Sequence, residues 1–184
     1  MLGEKIVYDI VKEGEKLVFH SMPDSKANMV EFDCVFAPGA KGPGFHVHPK
    51  QTETFYVVAG KMIGRIKGQK EKVLQQGETF IVPPGAIHTF SNASKDQPLE
   101  TRITLEPALH FQWFMTESAK VAVEKNCSRN DLTCLPEMGY IMWQCRDEQR
   151  IGGMPIFVEN LLLGTLALFA KITGRAKSIA PKAN

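Results

Sequence analysis

The chain has 184 residues, with 22 Lys and Arg against 20 Asp and Glu, and a formal net charge of +2. Its 43% hydrophobic and 23% charged residues exclude a disordered or collagen-like chain, and its length suits one domain or one domain with an appendage. The near-balanced charge offers no electrostatic footprint for nucleic acid.

The opening stretch MLGEKIVYDIVKEGEK places charged residues where a secretory signal needs an apolar core. Cys34, Cys127, Cys134 and Cys145 form no CxxC pair, which argues against a zinc ribbon. The expectation is a cytoplasmic protein with all four cysteines as thiols.

From residue 6 to residue 106 the pattern favours strands. Val30, Phe32, Cys34 and Phe36 are apolar at every second position, with Glu31 and Asp33 between them, as in a half-buried strand. The same reading covers residues 54–59, 61–67, 79–82, 87–91 and 99–106, separated by turn-rich segments such as APGAKGPG, QQGE and PPGA. Short strands at this spacing predict a sandwich or barrel.

Two stretches within it carry chemistry. In HVHPKQTETF, His46 and His48 are two residues apart and project to one face of a strand, where two imidazoles can converge on one metal ion. Glu53 shares the apolar face of Phe55 and Val57, where a carboxylate is costly unless paired, protonated or metal-bound. In GETFIVPPGAIHTFSN, Pro84 and Gly85 make a tight turn and His88 follows on a new strand beside Phe90. Three histidines with one glutamate suit a divalent Fe, Mn, Ni, Co, Cu or Zn ion without selecting among them.

After Pro107 the period changes. Residues 110–125, 135–150 and 155–173 read as helices, the last holding the apolar run LLLGTLALFA. That run is too short to span a membrane. It reads as a buried or dimer-forming helix, or as one touching a membrane surface.

At these residues the chain resembles the cupin superfamily. The first cupin motif, G-x5-HxH-x3,4-E-x6-G, is met by His46, His48, Glu53 and Gly60, with Ala40 and its neighbour Gly39 where the leading glycine belongs. The second, G-x5-P-x-G-x2-H-x3-N, is met by Gly77, Pro83, Gly85, His88 and Asn92. The resemblance implies a mainly β protein, a double-stranded β-helix or jelly-roll-like barrel over residues 1–106 with a motif core at about 28–107. Residues 107–184 then form a C-terminal α-helical extension. It also implies one divalent transition-metal ion on His46, His48, Glu53 and His88, with Glu53 as the catalytic candidate.

Phe36, Phe55 and Phe90 are candidates for a substrate-pocket lining. Arg102 belongs there only if its face turns inward, where it would clamp a carboxylate or enolate; otherwise it lies on a solvated outer face. Cys34 is read as core, Asn92 as a turn residue, and His20 and His110 as structural or surface residues. The functions that follow are a quercetinase-type dioxygenase acting on a small, partly apolar or aromatic ligand, a metal-assisted isomerase or epimerase, or a non-catalytic sensor. A homodimer, aided by the apolar run at 161–170, and a peripheral membrane contact through the C-terminal helix complete the expectations.

Overall fold

The computed structural model describes residues 5–19, 28–129 and 131–182. Among the described residues, eleven strands are distributed over two sheets in which every pairing is antiparallel. One sheet has the order β1 (Ile6–Ile10), β2 (Glu15–Phe19), β3 (Val30–Phe36), β10 (Leu99–Glu106), β5 (Thr52–Ala59), β8 (Thr79–Val82). The other has the order β11 (Arg150–Ile151), β4 (His46–Val47), β9 (His88–Asn92), β6 (Lys61–Ile66), β7 (Lys72–Gln75).

Period-two alternation builds the interior. On β10, Leu99, Thr101, Ile103 and Leu105 are buried, and the register sets Thr101 opposite Cys34, Ile103 opposite Phe32 and Leu105 opposite Val30. Burying such pairs on one face fixes the register, because a one-residue slip would expose all of them. Phe32, Phe36 and Phe55 are fully buried, and truncating any one to alanine should cost about 3–5 kcal/mol. Cys34 lies in this core as expected.

Strand gives way to helix after Glu106. Helix α1 (Phe111–Glu124) packs on β1, α2 (Leu135–Gln144) on α1, and α3 (Ile156–Ile172) on α2. The core is continuous across this change: Phe111, Met115, Ala119, Met138 and Ile141 join the same cluster as the barrel phenylalanines.

Two expectations are corrected. The helix read over 135–150 stops at Gln144. The following residues turn inward, so that Glu148 bonds His110, Gln149 bonds Gln51, and Arg150–Ile151 pair with β4. Amphipathic periodicity does not register such distant polar contacts. Second, the four cysteines are not all thiols: Cys127 and Cys134 form a disulfide across the connection from α1 to α2, leaving Cys34 and Cys145 free and buried. Among the described residues no helix is long and apolar enough to cross a membrane. His20 lies outside the described residues.

Candidate metal centre

His46 on β4 is paired directly with His88 on β9, so the second sheet brings these two imidazoles together. His48 lies just beyond β4, and Glu53 enters from β5 on the facing sheet. One ligand atom from each of His46, His48, Glu53 and His88 lies within 4.8 Å of all the others. The three ring Nε2 atoms converge on one oxygen, Glu53 Oε2, at 2.6 Å from His88, 3.3 Å from His48 and 4.0 Å from His46. His48, Glu53 and His88 are buried, whereas the His46 side chain retains 21% exposure. Access from solvent is therefore on the His46 side.

Backbone carbonyls orient two of the rings. His46 Nδ1 donates to Gly44 O at 2.9 Å and His88 Nδ1 to Ala86 O at 2.9 Å. A carbonyl only accepts, so the proton sits on Nδ1 and the Nε2 lone pair faces the cluster, the arrangement metal-bound histidines use. His88 then faces a second acceptor, Glu53 Oε2, with a nitrogen that carries no proton in the neutral ring. A positive centre between the two resolves that conflict. Both ring nitrogens of His48 are buried without a hydrogen-bond partner. Buried polar atoms are rarely left so, and a cation at the convergence point satisfies Nε2. The residues present thus fit a transition-metal ion.

Electrostatics point the same way. Burial lowers His46 from 6.5 to about 4; the Glu53 carboxylate opposes the shift, and His88 and His48 reinforce it. His46 is therefore a neutral ligand at physiological pH. Burial by itself raises the Glu53 carboxyl, but His48, His88 and His46 outweigh it and hold the group below the usual carboxylate range.

An antiparallel barrel with this ligand set is a recognisable architecture. The fold is the cupin double-stranded β-helix. Residues 32–104 match the family described as cupin domain. Germin-like protein 3-8 of Oryza sativa subsp. japonica is 48% identical over 56 residues, 28% of this chain and 24% of that protein. Oxalate oxidase 1 of Hordeum vulgare is 35% identical over 69 residues, 34% of this chain and 34% of that protein. The chain thus spans about a quarter to a third of the length of these curated relatives. Among solved structures, an RmlC-like cupin from Shewanella frigidimarina superposes with a TM-score of 0.48 at 25% identity, covering 57% of this chain and 86% of the other.

The remaining candidates of the cupin barrel are placed as follows. Phe55 lies against His88, with ring centroids 6.5 Å apart, and packs on Phe90 at 4.6 Å; Phe36 meets Phe90 edge-on at 5.3 Å. These three fill the barrel beside the cluster. Arg102 does not reach the cluster. It lies on the outer face of β10, 44% exposed, and its guanidinium donates to Asp33 at 2.8 and 3.2 Å. Its neighbours along the strand, Thr101 and Ile103, take the inner face, so an arginine clamp inside the barrel is ruled out. Asn92 has a tying role at the end of β9: it donates to Ala37 O and Gln97 O and accepts from Ser94 N.

The periodicity did not single out what covers the site. Phe111 of α1 stands edge-on to His48 at 5.6 Å. Buried Gln51 donates to Pro107 O at 3.0 Å and Ala108 O at 3.2 Å and accepts from Gln149 at 3.2 Å. His110 is bonded to Glu148 at 2.7 Å. The signal in the sequence was Gln51 itself, a glutamine between His48 and Glu53 at a position the motif leaves open.

Proposed function

We propose that the chain binds one divalent transition-metal ion through His46, His48, Glu53 and His88 and serves as an oxidoreductase for a small, oxygen-rich substrate. The observation that carries this reading is the convergence of three imidazole nitrogens on one carboxylate oxygen, with the buried His48 ring otherwise unpartnered. A redox-active ion held there supplies Lewis acidity and electron exchange with substrate and O2.

The chain's own residues set the conditions. The Gly44 and Ala86 carbonyls fix two ring orientations. Phe55 and Phe111 flank His88 and His48 and keep water from those sides. Glu53 is the only carboxylate of the cluster and is the group available to hold a substrate proton when it is not engaged as a ligand. Phe36 and Phe55 both pack on Phe90 and fill the barrel beside the cluster, which favours a small carboxylate or diketone over a large aromatic. The names of the relatives support this class, since several are oxalate oxidases.

The test is elemental analysis of protein purified without added metal, beside a His48→Ala, Glu53→Ala double variant, followed by O2-uptake assays with oxalate, short dicarboxylates and diketones. Close to one equivalent of a redox-active metal, lost in the variant, together with O2 uptake is the expected result. Zinc alone with no O2 uptake would overturn the oxidative reading in favour of isomerisation. Absence of metal from both proteins would overturn the metal centre itself and leave a small-molecule sensor.

A further inference from the structure

Helix α3 is apolar on nearly every side, yet only one stripe of it is buried. Leu163, Ala167 and Ala170 face α2, while Ile156, Phe157, Val158, Leu161, Leu162, Leu168, Phe169 and Ile172 are exposed. Phe157, Leu161 and Ile172 retain 75%, 73% and 77% exposure. A helix that is hydrophobic all round is normally covered all round. We propose that a second copy of this chain covers this face, with α3 packing on its twofold-related self.

Three observations select that occupant. Without Ile156, which lies at the helix start on the stripe of Leu163, the other seven share one face and expose on the order of 800 Å² of apolar surface, beyond the usual largest patch of a monomer and close to the share each partner buries in a standard interface. A single continuous helix face is also its own complement, as an isologous contact requires. At its centre stands Thr165, a small residue whose hydroxyl already donates to Leu161 O at 2.7 Å, so close approach there buries no unsatisfied group.

The charges speak against a lipid surface. No acidic residue follows Glu159 in the chain, and the basic ones that do could have ringed the apolar face as an interfacial helix requires. Three of these four, all but Lys177, are engaged on other groups instead. Arg175 bonds Glu137 and the Thr133 carbonyl, Lys182 donates to Gln144 O, and Lys171 lies over the Tyr140 ring. A dimer through α3 is independent of the metal centre and of its occupancy.

Sedimentation of the full chain without detergent tests it. The expected mass is that of two 20.5-kDa chains, and Leu161→Lys should weaken the dimer about 100-fold while leaving the circular dichroism and metal content of the protein unchanged. A Thr165→Cys variant should form a disulfide-linked dimer under mild oxidation, which reads the same contact without placing a charge on it. A native chain that stays monomeric at every concentration overturns the proposal. So does a dimer that survives Leu161→Lys without producing the Thr165→Cys cross-link. Co-pelleting of a monomer with phosphatidylserine vesicles, abolished by Leu161→Lys, overturns it in favour of a membrane contact.

Discussion

His88 Nε2 lies 2.6 Å from Glu53 Oε2, while the other nitrogen of the same ring is bonded to Ala86 O. One imidazole thus faces two acceptors, and a neutral ring has a single N–H to offer. Replacing the carboxylate with an amide removes the negative charge from one of these acceptors and leaves a weaker, neutral oxygen donor. Glu53→Gln should therefore lower the affinity for a divalent transition metal by more than about 100-fold, read by competition with a chromophoric chelator. Affinity retained in that variant would show that Glu53 is not a ligand. Arg102→Ala, on the outer face, should leave the same titration unmoved.

The metal-free protein should be sensitive to acid in a defined window. His46 takes up its proton at about 4 in the folded chain and near 6.5 in the unfolded one, so between those values the unfolded state binds more protons. Stability then falls as pH drops from about 6.5 to 4. Glu53, held below its ordinary value, adds a contribution that is present above 4.5 and is lost as pH falls further. Denaturant midpoints of the apoprotein across pH 7 to 4, with His46 followed by ring nitrogen NMR, check both. A His46 midpoint near 6.5 would contradict the buried environment.

Gln51 fastens the cover of the barrel to its ligand-bearing strands. Gln51→Leu removes a donor from the Pro107 and Ala108 carbonyls, the second of which keeps its bond from Phe111 N, and leaves the buried Gln149 amide without this acceptor. The expected loss is about 1–3 kcal/mol of folding stability. Arg65→Ala is the contrast: Arg65 is partly exposed and bonded to the exposed Glu71, and its loss should change stability by less than about 1 kcal/mol. Urea titrations of the two variants separate a buried tie from a surface pair.

The disulfide predicts a thiol count. Unfolded, non-reduced protein should react at Cys34 and Cys145 only, and at all four cysteines after reduction. In the folded state even those two should react slowly, because burial pushes the Cys145 thiol up to about 12 and also raises Cys34. Replacing Cys127 and Cys134 with serine should cost about 2–3 kcal/mol through loop closure in the unfolded chain. Four reactive thiols in freshly purified, unfolded protein would show that the pair does not form.

Gly60 shows how a motif position becomes a backbone requirement. Its φ is +84°, and a Cβ there would lie 2.3 Å from Pro98 O. Gly60→Ala should lower stability by more than about 1 kcal/mol, because both the left-handed conformation and the close approach disfavour a side chain. A differential scanning measurement with no fall in melting temperature would contradict that geometry.

The ligand set was legible in the chain because it rests on local rules. His46, His48 and Glu53 fall within eight residues, His88 follows a Pro84–Gly85 turn, and strand alternation decides which way each points. The same alternation left Arg102 open between inside and outside, and pairing settled it: with Ile103 opposite Phe32 in the core, Arg102 must face Asp33 outside. What covers the site was decided only in three dimensions. Gln51 meets Gln149 across 98 residues, and Phe111 reaches His48 from a helix whose own periodicity is fully explained by packing. Cys127 and Cys134 are only seven residues apart, yet their meeting was settled by the path of the connection from α1 to α2 and not by their spacing. Short-range patterns are carried by the backbone repeat of each element. Contacts between elements depend on how the finished surfaces fit together, and no window of sequence contains both partners.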